Sequence, residues 1–92
     1  MNINKMDIEQ IAEAARTKSN RFEYACIRGV ITYHARQLGM TLRKIGERLN
    51  KDHSTVAYYI RMHDANMRSS HIYRTFFKSL TKDKVLKIIE AL

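Results

Sequence analysis

Ile45-Gly46-Glu47-Arg48-Leu49-Asn50-Lys51-Asp52-His53-Ser54-Thr55-Val56 reads as the end of one helix, a tight turn and the polar start of a second. Leu42, Ile45 and Leu49 recur at helical spacing and point inward, leaving Arg43, Lys44, Glu47 and Arg48 outside, and Thr41 is placed to cap the helix they form. Gly46 falls within that helix. A glycine there costs about 1 kcal/mol against alanine, so next to a short turn it marks a place where a second helix crosses very close, as in a helix-turn-helix. Asp52 is the natural N-cap of the second helix, accepting from amides near Ser54 and Thr55. Val56, Ile60, His63 and Met67, joined by Tyr59, form its inward stripe, and His53, Ser54, Ala57, Tyr58 and Arg61 face the other way. The first turn is small, polar and rich in hydrogen-bonding groups, which suits close approach to base edges.

The charge of the chain supports that reading. Its 92 residues carry a formal net charge of +8 with pI near 9.9. The excess is concentrated ahead of the second helix: residues 16–51 hold Arg16, Lys18, Arg21, Arg28, Arg36, Arg43, Lys44, Arg48 and Lys51 against only Glu23 and Glu47. A polyanion such as nucleic acid is the partner such a concentration favours.

The flanking sequence supplies the rest of an all-α fold of about six helices. There is no proline, and glycine occurs three times. Ile8, Ile11, Ala12 and Ala15 place a first helix at about residues 5–16, with Asn4 or Asp7 as its cap. Thr17-Lys18-Ser19-Asn20 breaks the pattern as a basic loop. Ile27, Val30, Ile31, His34 and Leu38 line the next helix, with Arg28 and Arg36 off its stripe and Gly39 where a left-handed cap would end it. His34, beside the stripe, is expected to be a satisfied, partly buried histidine. Ser69 or Ser70 caps a helix carrying Ile72, Phe76 and Leu80, flanked by Tyr73 and Phe77, and these aromatics are expected in the core. Thr81 caps a last helix with Val85, Ile88, Ile89 and Leu92.

Other function classes fare poorly. A chain this short has room for one thin core, so function belongs on its surface rather than in a deep pocket. Asp52-His53-Ser54 contains the residue types of a hydrolytic triad, but consecutive helical residues diverge by about 100° and cannot converge on one another. No catalytic residue is expected. Nor is a metal: His34, His53, His63 and His71 form no i, i+4 pair, and no cysteine cluster joins them. The single Cys26 forms no intrachain disulfide and is read as a small core residue, in keeping with a reducing compartment. Without a signal-type apolar segment or a membrane-length apolar run, a cytoplasmic location is expected.

Several of these residues together resemble a known family. Arg28, Tyr33-His34-Ala35-Arg36-Gln37-Leu38, Ile45-Gly46 and Lys51-Asp52-His53-Ser54-Thr55-Val56 are similar to the C-terminal DNA-binding domain of the bacterial chromosomal replication initiator, DnaA. The resemblance covers about residues 20–80, with residues 81–92 as an extra C-terminal helix of one single domain. It implies a Trp-repressor-like all-α fold that binds a short asymmetric box in double-stranded DNA, in a bacterial or bacteriophage setting and associated with the nucleoid. Base reading in the major groove falls by resemblance to Asp52, His53 and Ser54. Backbone contacts fall to Arg28, Arg36, Lys44, Lys51 and Thr55, and a minor-groove contact to Arg21.

The chain differs from the family at three places. Its turn at Leu49-Asn50-Lys51 is one residue shorter than the family's Phe-Gly-Gly-Arg type and lacks the glycines, Gly29 follows Arg28 where a polar residue is usual, and Tyr59 stands where a small one is usual. No Gly-x-x-x-x-Gly-Lys-Ser/Thr occurs, so no nucleotide cofactor is expected and the reading is a replication or transcription regulator without ATPase activity. An adaptor that binds a replication or transcription protein is the alternative. The C-terminal helix is left with two expectations, packing on the core or pairing with a second copy or protein partner.

Overall fold

Seven consecutive residues, 26–32, are buried without a break, and a helix buried on every side must run through the middle of its domain. That helix is α2 (Phe22–Gln37). Around it, in a computed structural model that describes residues 2–92, lie α1 (Ile8–Arg16), α3 (Leu42–Leu49), α4 (His53–Ser69), α5 (His71–Ser79) and α6 (Lys82–Ala91). Only helices and connecting turns occur among the described residues, as expected of a small all-α domain.

Local chemistry sets most helix ends. Asp7 opens α1 with a reciprocal capping box: its carboxylate accepts from the Gln10 amide at 2.8 Å, and Gln10 Oε1 accepts from the Asp7 amide at 2.9 Å. The helix therefore starts at residue 8 rather than 5, and residues 3–5 form a separate 3-10 turn that buries Ile3. Thr41, Ser70 and Thr81 cap α3, α5 and α6 through their hydroxyls. Gly39 follows α2 at φ +89°, the left-handed conformation that its position requires.

The core joins Ile11, Ala15, Ile27, Val30, Ile31, Ile45, Leu49, Val56, Tyr73, Phe76, Leu80, Val85 and Ile88, with Cys26 among them. Three apolar placements differ from the sequence expectation. Leu38 and Ile60 are exposed instead of inward, because α2 ends one residue before Leu38 and the buried arc of α4 is centred on Val56 and His63. Ile72 is also exposed, since α5 turns Tyr73 into the core in its place. Gly29 makes room for that tyrosine: a Cβ at residue 29 would stand 3.1 Å from Tyr73 Cε2 and 3.2 Å from its hydroxyl. The glycine that replaces a polar residue is thus explained by the docking of α5 on α2.

Aromatic rings bind the other side of α2 to α4 and α5. Tyr33 stacks on His63 with centroids 4.0 Å apart, and His34 stacks on Phe77 at 5.4 Å. His63 Nδ1 lies 2.7 Å from the Tyr73 hydroxyl, a buried hydrogen bond. His34 is partly buried but not satisfied as expected, for its Nε2 is buried with no hydrogen-bond partner.

The last helix packs on the core. α6 lies against α1 and α2 and buries Val85 and Ile88, and Arg48 of α3 donates to the Ile89 carbonyl at 3.2 Å. Of the two expectations for this helix, packing on the core is the one that Val85 and Ile88 meet, while Leu86 stays 38% exposed.

Candidate nucleic-acid interface

Gly46 marks a close approach as expected, but what comes close is the backbone of the turn at Lys51 and Asp52 and not a second helix. A Cβ on Gly46 would collide with the Lys51 carbonyl oxygen, and the Gly46 carbonyl accepts from the Lys51 amide at 2.8 Å. Asn50 takes the left-handed conformation, φ 57°, ψ 44°, between them. Asparagine is among the few residues other than glycine that tolerate this region, so it supplies the turn without the family's glycines. Residues 50–52 separate α3 from α4, the three-residue turn of a helix-turn-helix.

The turn delivers Asp52 to the start of α4. Its Oδ1 accepts from the Thr55 amide at 2.9 Å and from the Ser54 hydroxyl at 2.6 Å. These bonds, that from Ser54 first, hold the Asp52 carboxyl down to about pH 2 as its titration point, so it is ionised wherever the protein works. Ser54 gives its proton to Asp52 directly and not to His53, so the relay order of a triad is not formed. His53 and Ser54 are both exposed at the free end of the helix, and Thr55 is half-buried behind them. The three residues expected to read bases thus lie together.

The cations divide into two groups. Lys51 is half-buried, and its pKa is lowered first by burial and then by repulsion from Arg28 and Lys18, which places the basic loop beside the turn. Arg21 is exposed at the start of α2 and pairs weakly with Glu23 at 4.0 Å, the one ion pair among the described residues. Lys44 and Arg36 are exposed, and Arg36 Nη1 donates to the Met40 carbonyl at 2.8 Å.

Arg28 corrects the sequence reading. Expected off the apolar stripe and open to phosphates, it is 2% exposed. Its Nε donates to the Ala15 carbonyl at 2.9 Å, and Nη2 donates to Thr17 and Ser19 at 2.5 and 2.9 Å. A planar fork that meets the Ala15 carbonyl at the end of α1 and two carbonyls of the loop after it is a bracket for that loop. Arg28 holds Lys18 and Arg21 in position, a role whose signal lies in three-dimensional contacts and not in residue spacing.

Two further exposed residues lie on the outer face of α4: Tyr58, which is 51% exposed, and Arg61, whose guanidinium carbon lies 6.0 Å from the Tyr58 ring centroid.

The family model for the bacterial DnaA protein helix-turn-helix matches residues 4–62, well over half of the chain. The chain belongs to this family. The match to the DnaA helix-turn-helix family takes in the last two residues of the 3-10 turn, α1, α2, α3, the turn and the first ten residues of α4, so it reaches further toward the N-terminus than the resemblance at residues 20–80 and stops before α5. No curated protein and no solved structure matches the chain. A helix-turn-helix of the DnaA type carries DNA binding, and no helix among the described residues is long and apolar enough to cross a membrane.

Proposed function

We propose that the chain binds double-stranded DNA in a sequence-specific manner, placing the first turn of α4 in the major groove at boxes of the initiator type. It acts there as a replication or transcription regulator, without ATPase chemistry of its own, in the cytoplasm of a bacterial or bacteriophage-infected cell. The observation that carries this reading is the exposed Asp52, His53 and Ser54 at the start of a helix that follows Lys51 in the turn, with Lys18 near enough to repel Lys51 and with Lys44 and Arg21 exposed on α3 and at the start of α2. Short polar groups at a helix start reach base edges, and long cations on either side reach phosphates. Arg36 and Thr55 complete the backbone contacts, Arg21 reaches the minor groove, and Arg28 serves by holding the loop. The like-charged Lys18, Arg28 and Lys51 stand close without an acidic partner, and a phosphate would relieve their repulsion.

A fluorescence titration tests the proposal, using duplex that carries an initiator-type box against scrambled duplex of the same composition. Tighter binding to the box is expected, with affinity falling steeply with salt at a log–log slope of about −0.9 per phosphate contacted. Equal affinity for the two duplexes at moderate salt would overturn sequence-specific reading.

A further inference from the structure

Ser54, Tyr58 and Arg61 share one line along α4. At about 100° per residue, Tyr58 is rotated by roughly 40° from Ser54 and Arg61 by roughly 20°, and the opposite side of the helix carries Val56 and His63 into the core. Tyr58 is displaced about 6 Å along the axis from Ser54, near two base-pair steps of duplex DNA. A helix whose first turn enters a groove about 12 Å wide therefore carries its second turn past the neighbouring bases.

The Tyr58 ring is also held. Arg61 lies over it, Tyr59 meets it edge-on with centroids 6.3 Å apart, and on its inner side it borders a small cavity of about 130 Å³ shared with Phe22, Met62 and Asn66. A half-exposed aromatic ring gains little for folding at a helix surface, where alanine or a long polar residue has the better helix propensity. An apolar face in a major groove has a specific counterpart in the thymine C5-methyl group, which neither cytosine nor a purine presents.

We propose that Tyr58 is a further specificity-determining residue, packing its ring against a thymine methyl about two base pairs from the position read by Ser54. The inference rests on α4 reading the major groove and adds a base to the set it reads. Tyr58 acts by contact alone, with Arg61 keeping the ring in place.

The test begins with selection of bound duplexes from a random library by the wild-type protein. Each thymine of the enriched sequence is then replaced singly by deoxyuridine, which removes only the methyl group. Wild-type protein is expected to lose about fourfold in affinity at one thymine or two adjacent ones, the worth of one buried methyl. Tyr58→Ala should bind the unmodified duplex more weakly by at least that factor and show no further loss at those positions, whereas Tyr58→Phe should behave as wild type. Circular dichroism should show both variants folded, since the side chain is half in solvent. If Tyr58→Ala retains every methyl effect, or Tyr58→Phe behaves as Tyr58→Ala does, the proposal is overturned while base reading by His53 and Ser54 stands. A wild-type protein that enriches no sequence overturns both.

Discussion

Arg28 Nε donates to the carbonyl of Ala15 at 2.9 Å, tying the second turn of α2 to the end of α1 across thirteen residues of sequence. The same guanidinium holds the carbonyls of Thr17 and Ser19, so the basic loop keeps its shape through one buried side chain. Arg28→Ala would leave those carbonyls without their donor and an empty volume in the core. A loss of about 2–4 kcal/mol is expected in urea unfolding. Arg28→Lys should recover only part of it, because an ammonium cannot present the fork that spans the loop. DNA binding by both variants should fall in step with their folded fraction. A variant as stable as wild type but deficient on DNA would reassign Arg28 to the phosphates.

Gly46 faces the opposite test. Replacing it with alanine gains about 1 kcal/mol of helix propensity, yet the new Cβ would strike the Lys51 carbonyl, which is backbone and cannot swing away. Relieving that contact moves the turn and Asp52 with it. Overpacking at such a contact costs about 1–3 kcal/mol, occasionally more, so Gly46→Ala should be destabilised in thermal unfolding despite its better propensity. An unchanged or raised melting temperature would show that the turn backbone can move away freely.

The tight turn after Gly46 was legible in the sequence because everything that makes it is local, although the close neighbour is the turn backbone and not a second helix. Gly46, Asn50 and Asp52 fall within seven residues, and each answers a backbone need at its own position: close approach, positive φ and unpaired amides. Arg28 was not legible for the converse reason, since its partners are carbonyls and any sequence offers those. Ile60 and Ile72 fit a helical stripe as well as their neighbours do, and only the angle at which α4 and α5 meet α2 decides which flank is covered. For the candidate site, periodicity located the outer face of α4, but the cavity on the inner side of Tyr58 is lined in part by Phe22 of another helix and depends on how α2 and α4 pack. The fate of α6 depended on long-range packing against α1, beyond anything its own pattern could state.

The aromatic junction of α2, α4 and α5 predicts a pH dependence. Burial lowers the pKa of His63 below the ordinary 6.5, with Asp64 opposing in part. Burial also lowers that of His34, assisted by repulsion from His63 and Lys82 and opposed in part by the Leu80 backbone. Each ring is therefore preferred neutral in the fold, and the unfolded chain takes up the proton first as pH falls. Stability should be complete above about pH 6.5 and decline through the window beneath it. Urea midpoints at pH 7.5 and 5.5 measure this, and the decline should be smaller in His63→Phe, which removes one of the two groups. Equal midpoints in the wild-type protein would contradict the assignment. The Asp52 carboxyl acts in a separate window: its lowered pKa supports the fold above about pH 3.8 and fails only in stronger acid.

Ser54 and Lys44 should separate reading from holding. The Ser54 hydroxyl donates its one proton to Asp52 at 2.6 Å, so toward the groove it offers lone pairs and acts as an acceptor. In the major groove the complementary donors are the amino groups of adenine and cytosine. Ser54→Ala is therefore expected to lose about 1–3 kcal/mol of discrimination, and His53→Ala a similar amount, with the preference lost by Ser54→Ala falling at a base pair whose amino group faces the helix. Lys44→Ala should weaken box and scrambled duplex nearly alike and make the log–log salt slope shallower by about 0.9. Titrations of both duplexes at three salt concentrations measure all of these quantities. If Lys44→Ala removed the discrimination and Ser54→Ala left it intact, the helix would be lying in the groove by its α3 side, and the roles of the two helices would have to be exchanged.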